Sequence, residues 1–193
     1  MLLLMVLFEF EITVQNVVLT GSFSEEIDLD VAVSSLVGSK HSWKRFPGLA
    51  YKLKSPSATF LLFKSGKFVC TGVKTRVKGV EAIDSFLGLL KMLGLVSGVC
   101  SFVCCVKNLV ALVDIVGVSI ALEQFSSEFG VVYAPDKFPA AVYRMGGFGA
   151  SFLVFLSGKL ICSGVSDEED LKRVVKVFYD QLVDRGVIES VFC

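Results

Sequence analysis

The sequence contains few of the residues that build catalytic or metal sites. Its 193 residues include a single histidine, His41, and none of its six cysteines forms a C-x-x-C pair. Zinc sites are recognised by Cys and His ligands at short, paired spacing, so none is indicated. A Ser/His/Asp or Cys/His constellation and a phosphate-cradling glycine loop are missing as well. These absences predict a protein that is not an enzyme and that needs no metal or other cofactor.

An excess of charge is also missing. Lys and Arg together number 19, as do Asp and Glu, so the net charge is zero. A strongly basic balance would indicate a nucleic-acid partner through the field of the whole protein. Without it, a DNA-binding hypothesis must rest on geometry. The halves nevertheless differ, because residues 1–96 carry 11 basic and 8 acidic side chains whereas residues 97–193 carry 8 and 11.

Long hydrophobic runs are missing too, although hydrophobic residues make up 53% of the chain and its mean hydropathy is +0.69. The apolar run 1–8 is far shorter than the roughly 20 residues of a membrane span. It also lacks the basic start and the cleavage site of a signal peptide. We interpret it as the lead-in to the first strand. Part of the apolar excess, which includes 17 phenylalanines, is available for a binding surface.

What the sequence does contain is an internal repeat with an offset of 92 residues. Segment 60–72 (FLLFKSGKFVCTG) corresponds to segment 152–164 (FLVFLSGKLICSG), and the same offset relates Phe46-Pro47 to Phe138-Pro139. Each segment alternates apolar residues around Ser-Gly-Lys, which predicts a β-hairpin. Because units of this size bury little surface alone, the repeat favours one body with a continuous sheet.

Periodicity predicts the other elements of each repeat. Residues 12–20 alternate and are rich in β-branched residues, which is typical of a strand. A period of 3.6 predicts short helices at 28–37 and 120–129, and long helices at 76–93 and after the capping box Ser166–Glu169. Residues 43–48 are expected to interrupt regular structure before a strand over 49–53. Cys70 and Cys162 are expected to be small buried hydrophobes.

Alternation divides the hairpin side chains between two faces, and both faces are apolar. The predicted helices can cover only one face, so the other is left for a dimer partner or for a ligand. Asn and hydroxyl side chains lie on that second face, and Lys and Arg residues can line its edges. Such a surface suits a DNA minor groove, where an apolar floor meets sugars and base edges while cations meet phosphates.

Several motifs recur in order along both repeats: Asn16-Val17-Val18, Lys44-Arg45-Phe46, Phe63-x-Ser-Gly-Lys-x-x-Cys-Thr-Gly, Asn108-Leu109-Val110, Phe138-Pro139, Tyr143-Arg144-Met145 and Phe155-x-Ser-Gly-Lys. Through them the chain resembles the TATA-box-binding protein family from about Thr13 to Arg185. The resemblance implies an α+β fold, a pseudo-two-fold saddle of two repeats whose curved antiparallel sheet has helices on its convex face. The expected boundaries are a lead-in at 1–12, repeats at 13–95 and 104–187, a connector at 96–103 and a tail at 188–193.

The resemblance also implies the residues that contact DNA. Four phenylalanines would wedge between base steps: Phe46, Phe63, Phe138 and Phe155. The minor-groove floor would consist of Asn16, Val18, Leu61, Val69, Thr71, Asn108, Val110, Leu153, Ile161 and Ser163. Phosphates would be contacted by Arg45, Lys52, Lys67, Arg144 and Lys159.

The implied function is that of a general transcription initiation factor that binds A·T-rich promoter DNA, kinks it, and recruits a IIB-type factor and RNA polymerase. Tyr133, Pro135 and Asp136 would contact the IIB-type factor, although Ala134 and Lys137 depart from the family's pattern there. The chain lacks the long N-terminal extension of many eukaryotic members, so an archaeal cytoplasm is expected, or a nucleus for a eukaryotic member.

Two alternatives stay open. The turn Gly146-Gly147-Phe148-Gly149 and the acidic second half favour a divergent paralogue with altered DNA or partner specificity. A ligand-binding or enzymatic domain could use the same sheet as a pocket wall, but the missing catalytic constellations oppose it. Self-association through the apolar face in the absence of DNA is a further expectation.

Overall fold

The computed structural model of the protein describes residues 10–42 and 46–190. The described chain divides into two compact units. Of these described residues, the first unit comprises those between Asn16 and Asn108, and the second comprises residues 10–15 together with residues 109–190. The sequence repeats correspond to these units except that the first strand and its repeat mate each contribute residues to both.

The first unit contains most of the first repeat. In chain order its elements are β1 (Phe10–Phe23, from Asn16 onward), α1 (Leu29–Ser35), β2 (Lys40–Ser42), β3 (Phe46–Leu53), β4 (Ala58–Phe63), β5 (Lys67–Val73), α2 (Arg76–Met92) and β6 (Phe102–Ile115, up to Asn108). The strands lie in the order β2-β3-β4-β5-β1-β6. The pairs from β2 to β5, and β5 with β1, are antiparallel.

The second unit repeats this plan. After β6 it contains β7 (Val118–Ile120), α3 (Leu122–Phe129), β8 (Ala140–Met145), β9 (Ala150–Phe155), β10 (Lys159–Val165), α4 (Glu168–Asp184) and β11 (Ile188–Ser190). Its strands lie in the order β1-β6-β10-β9-β8, and β11 pairs separately with β7. The described part of the chain contains no helix that is long and apolar enough to cross a membrane.

Stacked aromatic rings attach the long helix of each unit to the sheet. Phe86 of α2 stacks on Phe60 of β4 with ring centroids 4.2 Å apart, and Phe178 of α4 stacks on Phe152 of β9 at 4.1 Å. All four rings are fully buried. Aromatic rings bury large apolar areas and gain further from such stacking. One face of each unit's sheet is therefore the core, and in the first unit it carries Phe60 and its alternating neighbours.

Two cysteines belong to this core. Cys70 and Cys162 are fully buried and free, as expected of small hydrophobic residues. Burial disfavours the thiolate and raises the pKa of Cys70 to about 11 and that of Cys162 to about 12. Neither thiol is therefore a nucleophile near neutral pH.

Acidic side chains cap two of the helices. Asp28 Oδ1 accepts the Asp30 N–H at 3.0 Å, which confirms the predicted start of α1. In α4 the cap is Asp167, whose Oδ1 accepts the Asp170 N–H at 2.7 Å, so the predicted capping box at Ser166 is wrong by one residue. That backbone hydrogen bond, more than any other contact, lowers the pKa of the Asp167 carboxyl.

Three other boundaries differ from the sequence-based expectation. Phe46 to Gly48 belong to β3 instead of an irregular segment, because Pro47 lies where the β2–β3 register shifts and needs no ladder hydrogen bond there. Ile120 ends the strand β7, so α3 begins only at Leu122. Residues 188–190, expected in the tail, form β11, which is too short to show a period.

The tips of the two hairpins are hydrogen-bonded to the chain that follows β1 or β6. The N–H groups of Phe23 and Ile27 donate to the carbonyls of Gly66 and Lys64 at 3.0 and 2.9 Å. In the second unit, Ile115 and Ile120 donate to Gly158 and Leu156 at 3.2 and 2.9 Å. A Cβ at Gly66 would collide with the Glu25 carbonyl oxygen, so the tip lies tightly against this segment.

Two glycines of α2 offer a matched test of helix packing. A Cβ at Gly79 would collide with the fully buried Leu19 side chain, whereas a Cβ at Gly88 would meet no atom within 4 Å. Alanine gains about 1 kcal/mol of helix propensity over glycine at either position. The propensity gain cancels between the two variants, so overpacking at residue 79 decides the difference in their free energies of unfolding. We expect Gly79→Ala to be about 1–3 kcal/mol less stable than Gly88→Ala in urea denaturation. Equal stabilities would contradict this packing of α2 on β1.

Candidate nucleic-acid interface

In each unit, the sheet face opposite the helices is left partly exposed. Leu61 in β4 is partly exposed between the fully buried Phe60 and Leu62, and the same alternation holds along β5, β9 and β10. All ten residues predicted for the minor-groove floor are partly exposed: Asn16, Val18, Leu61, Val69, Thr71, Asn108, Val110, Leu153, Ile161 and Ser163. None of them belongs to the core, so each has surface that a ligand could contact.

The amide of Asn16 has a fixed orientation on this face. The Gly72 backbone N–H donates to Asn16 Oδ1 at 2.8 Å, and Thr71 Oγ1 also donates to Oδ1, at 3.2 Å. A backbone N–H can only donate, so its partner must be the amide oxygen. Asn16 Nδ2 in turn donates one hydrogen to Thr71 Oγ1 at 3.0 Å.

This orientation determines what Asn16 can offer to a ligand. Its oxygen already accepts two hydrogen bonds from the protein, while Nδ2 carries two hydrogens and one is used by Thr71. Asn16 is therefore set up as a donor. The minor-groove edges of A·T and T·A pairs present only acceptors, adenine N3 and thymine O2.

In the first unit, two of the predicted wedge residues form a ring pair. The rings of Phe46 and Phe63 are both partly exposed and meet edge-to-face with centroids 5.5 Å apart. Gly48 makes room for them, since a Cβ there would lie 2.6 Å from a Phe46 ring carbon and 3.1 Å from a Phe63 ring carbon. Both distances are shorter than ordinary packing allows, so a side chain at position 48 would require the two rings to shift.

The equivalent residues of the second unit are arranged differently. Phe138 is 44% exposed and precedes β8, with its N–H donating to the Ala134 carbonyl at 3.1 Å. Phe155 is partly exposed at the end of β9 and pairs across the ladder with Ala140, the counterpart of Gly48. Within residues 10–42 and 46–190, no aromatic ring packs against either of these two. The predicted wedge residues of the second unit thus lack the ring pair that the first unit has.

Cationic side chains lie beside the uncovered face. Lys52, Lys67, Arg144 and Lys159 are exposed, whereas Arg45, also predicted to contact phosphate, lies outside the described residues. Lys159 Nζ is 3.5 Å from Asp114 Oδ2, the residue that it faces across the β10–β6 ladder. Lys67 faces Ser22 at the equivalent place in the first unit. The two lysines, both predicted to contact phosphate, thus have different electrostatic surroundings.

Known proteins match nearly the whole length of this chain. The family model described as "Transcription factor TFIID (or TATA-binding protein, TBP)" matches residues 11–93 and 104–184. The chain belongs to the TATA-box-binding protein family. TATA-box-binding protein 1 of Methanosarcina acetivorans is 33% identical over 188 residues, which cover 93% of this chain and 99% of the relative. TATA-box-binding protein 3 of the same organism is 36% identical over 181 residues, covering 90% and 97%.

A solved structure supports the same assignment. Methanococcus jannaschii TBP matches with a TM-score of 0.80 and 32% identity, covering 90% of this chain and 99% of that chain. The predicted family and the predicted α+β fold with two repeats are confirmed. As a member of the TATA-box-binding protein family, the protein is a transcription initiation factor and not an enzyme. The individual DNA-contacting residues stay predictions.

The structure adds two residues that sequence reasoning did not assign to the interface. Cys105 Sγ lies 3.7 Å from Thr20 Oγ1, so this exposed thiol is beside a residue of the uncovered face. Both line a groove of ≈ 700 Å³ together with Phe63 and Val69. Thr20 shares a face of β1 with Asn16 by alternation, but nothing in the sequence showed that Cys105 would neighbour it.

The residues predicted to contact a IIB-type factor lie between α3 and β8. Pro135 and Asp136 are exposed and Tyr133 is partly exposed, so all three are accessible. Lys137 and Phe138 donate backbone N–H groups to the Ala134 carbonyl at 3.0 and 3.1 Å, which gives this turn a defined shape. Lys137 is exposed as well, which adds a positive charge beside Asp136.

Proposed function

We propose that the protein binds the minor groove of A·T-rich promoter DNA through the uncovered face of each repeat. The observation that carries this proposal is the partly exposed set of ten floor residues with Asn16 held as a donor. Apolar side chains fit the sugars and base edges of a minor groove, and a donor fits the acceptors of A·T pairs. A guanine amino group at the same place would oppose a donor with another donor.

The four phenylalanines are proposed to kink the duplex. Proteins of minor-groove type insert apolar rings between base steps and offset the loss of stacking by the surface that the bent DNA then contacts. Phe46, Phe63, Phe138 and Phe155 retain exposed ring surface, which a core residue would not. Lys52, Lys67, Arg144 and Lys159, with Arg45, would hold the phosphates beside the groove.

In the cell the protein acts with the transcription machinery, as its family implies. We propose that Tyr133, Pro135 and Asp136 contact a IIB-type factor and that the complex recruits RNA polymerase. The similarity to archaeal proteins supports the cytoplasm as the compartment. The alternative, a paralogue with altered partner specificity, is favoured by one observation: Ala134 and Lys137 replace the expected residue types in the turn that would meet the factor.

A mobility-shift experiment with two duplexes tests the proposal. A duplex with a central TATA element should bind with clear preference over the same duplex with G·C substitutions, and adding a IIB-type factor should produce a larger complex. Equal affinity for the two duplexes would refute minor-groove readout. A complex with DNA that no IIB-type factor joins would favour the paralogue. Sedimentation without DNA reports whether the free protein self-associates.

The Asp114 carboxylate gives a further prediction. Because it lies 3.5 Å from Lys159 and adds a negative charge beside the phosphates, Asp114→Asn should raise affinity for the TATA duplex about threefold. It should also steepen the fall of log K with log salt by about one unit, since one more counterion is released. Anisotropy titrations between low and moderate salt measure both. An unchanged salt slope would show that Lys159 does not reach the DNA.

A further inference from the structure

We propose that the two repeats engage DNA in a fixed order, with the wedge of the first repeat kinking the duplex before that of the second. This inference rests on the proposed function, which treats the repeats as equivalent. Two independent asymmetries in the structure carry it: one in how the wedge rings are held and one in the charge of the hairpin tips.

The first asymmetry is the preformed ring pair. Phe46 and Phe63 already contact each other in the protein without DNA, at 5.5 Å between centroids, because Gly48 leaves space for them. In the second repeat Ala140 carries a Cβ at the equivalent position, and Phe138 is 44% exposed ahead of its strand. A side chain that is already ordered loses less conformational freedom on binding. The first wedge therefore needs less ordering to enter a base step.

The second asymmetry is electrostatic. Lys67, at the tip of the first hairpin, is exposed and faces the neutral Ser22 across the β5–β1 ladder. The equivalent Lys159 of the second hairpin is paired with Asp114. Lys67 thus keeps its charge for a phosphate, whereas the charge of Lys159 is partly balanced. Lys64 lines a cavity with Glu26, Asp28 and Asp30 and does not add to this difference.

Both differences act in the same direction on the encounter with DNA. Within a Debye length of about 8 Å, positive charge draws phosphates toward the first tip and raises the association rate. The ring pair is then in place to enter the first step. The wedge residues and the paired lysine of the second repeat then act on DNA that has already been deformed.

Matched alanine variants at repeat-related positions separate early from late steps. We expect Phe63→Ala to lower the rate of bent-complex formation at least about tenfold, because its ring acts in the first kink. Phe155→Ala should change that rate less than about twofold and should instead raise the dissociation rate about tenfold or more. Stopped-flow energy transfer between dyes at the two duplex ends follows bending, and competitor challenge gives dissociation.

An exchange variant tests the electrostatic part. Ser22→Asp combined with Asp114→Ser exchanges the residues that face Lys67 and Lys159 while keeping the composition and the net charge of the chain. We expect this variant to reduce the kinetic difference between Phe63→Ala and Phe155→Ala when each is introduced into it. Gly48→Ala, which removes the space for the ring pair, should slow bending even where equilibrium stability of the protein is unchanged.

The outcomes distinguish this inference from the proposed function. If Phe63→Ala and Phe155→Ala slow bending equally, or if Phe155→Ala slows it more, the fixed order is overturned while minor-groove binding stands. If the unaltered protein neither prefers the TATA duplex nor bends it, the proposed function itself fails. If the exchange variant leaves the kinetic difference unchanged, the electrostatic asymmetry does not set the order.

Discussion

Phe63→Ala and Phe155→Ala are each expected to weaken binding to a TATA duplex about 100-fold and to reduce the bend. Unstacking a base step costs a few kcal/mol, and a ring that fills the opened step offsets this; a loss of about 3 kcal/mol corresponds to about 100-fold in Kd. Both rings are partly exposed, so their removal leaves no closed cavity in the core. Anisotropy titration measures the affinity, end-to-end energy transfer measures the bend, and thermal unfolding measures the stability of each variant.

Two control variants show whether the loss is specific. Phe60→Ala removes a fully buried ring that stacks on Phe86, and it should lower the free energy of unfolding by about 3–5 kcal/mol. Met92→Ala shortens an exposed side chain at the end of α2 and should change neither stability nor binding. A loss of stability in Phe63→Ala as large as that in Phe60→Ala would assign Phe63 to the core and remove it from the interface.

Asn16→Asp is expected to reduce affinity for A·T-rich DNA about 100-fold without unfolding the protein. The carboxylate can still accept the Gly72 N–H and the Thr71 hydroxyl, so two of the three bonds inside the protein remain and only the one that Nδ2 donates to Thr71 is lost. Toward the ligand, however, it replaces a donor by a charged acceptor, which faces adenine N3 and thymine O2. A mismatched contact of this kind weakens binding by about 1–3 kcal/mol, and repulsion between the carboxylate and the phosphates weakens it further.

The same variant should also alter base preference. A carboxylate can accept from the guanine amino group, so the preference for the TATA duplex over its G·C-substituted form should narrow. Gln124→Glu is the matched control, because it makes the same amide-to-carboxylate change at an exposed position of α3. Wild-type affinity and preference in Asn16→Asp would show that Asn16 does not touch the bases.

The sequence was sufficient to predict which hairpin side chains face the helices. Period-two alternation separates Leu61 from Phe60 and Leu62, and the structure buries the latter two completely. The repeat made the argument stronger, because each assignment in 60–72 could be checked against 152–164. The DNA-contacting residues themselves came from family resemblance, and they remain to be tested by substitution.

The features that could not be predicted depend on contacts between distant segments. Pro47 appears in the sequence as a breaker, yet a register shift against β2 accommodates it inside β3. Asp114 was not singled out, since its pairing with Lys159 follows only from the β6–β10 register. Whether a side chain at position 48 would leave room for the rings of Phe46 and Phe63 likewise depends on a few tenths of an ångström. No residue pattern encodes such distances.

The anchoring of both hairpin tips by backbone hydrogen bonds affects how the work of recognition is divided. Gly66 and Lys64 in one unit, and Gly158 and Leu156 in the other, accept N–H groups from neighbouring chain, so the supports of Phe63 and Phe155 are stiff. A stiff support does not reshape itself around a straight duplex. In the proposed complex it is therefore the DNA that would deform, and promoters would be ranked by how easily their base steps deform as well as by the groups they display.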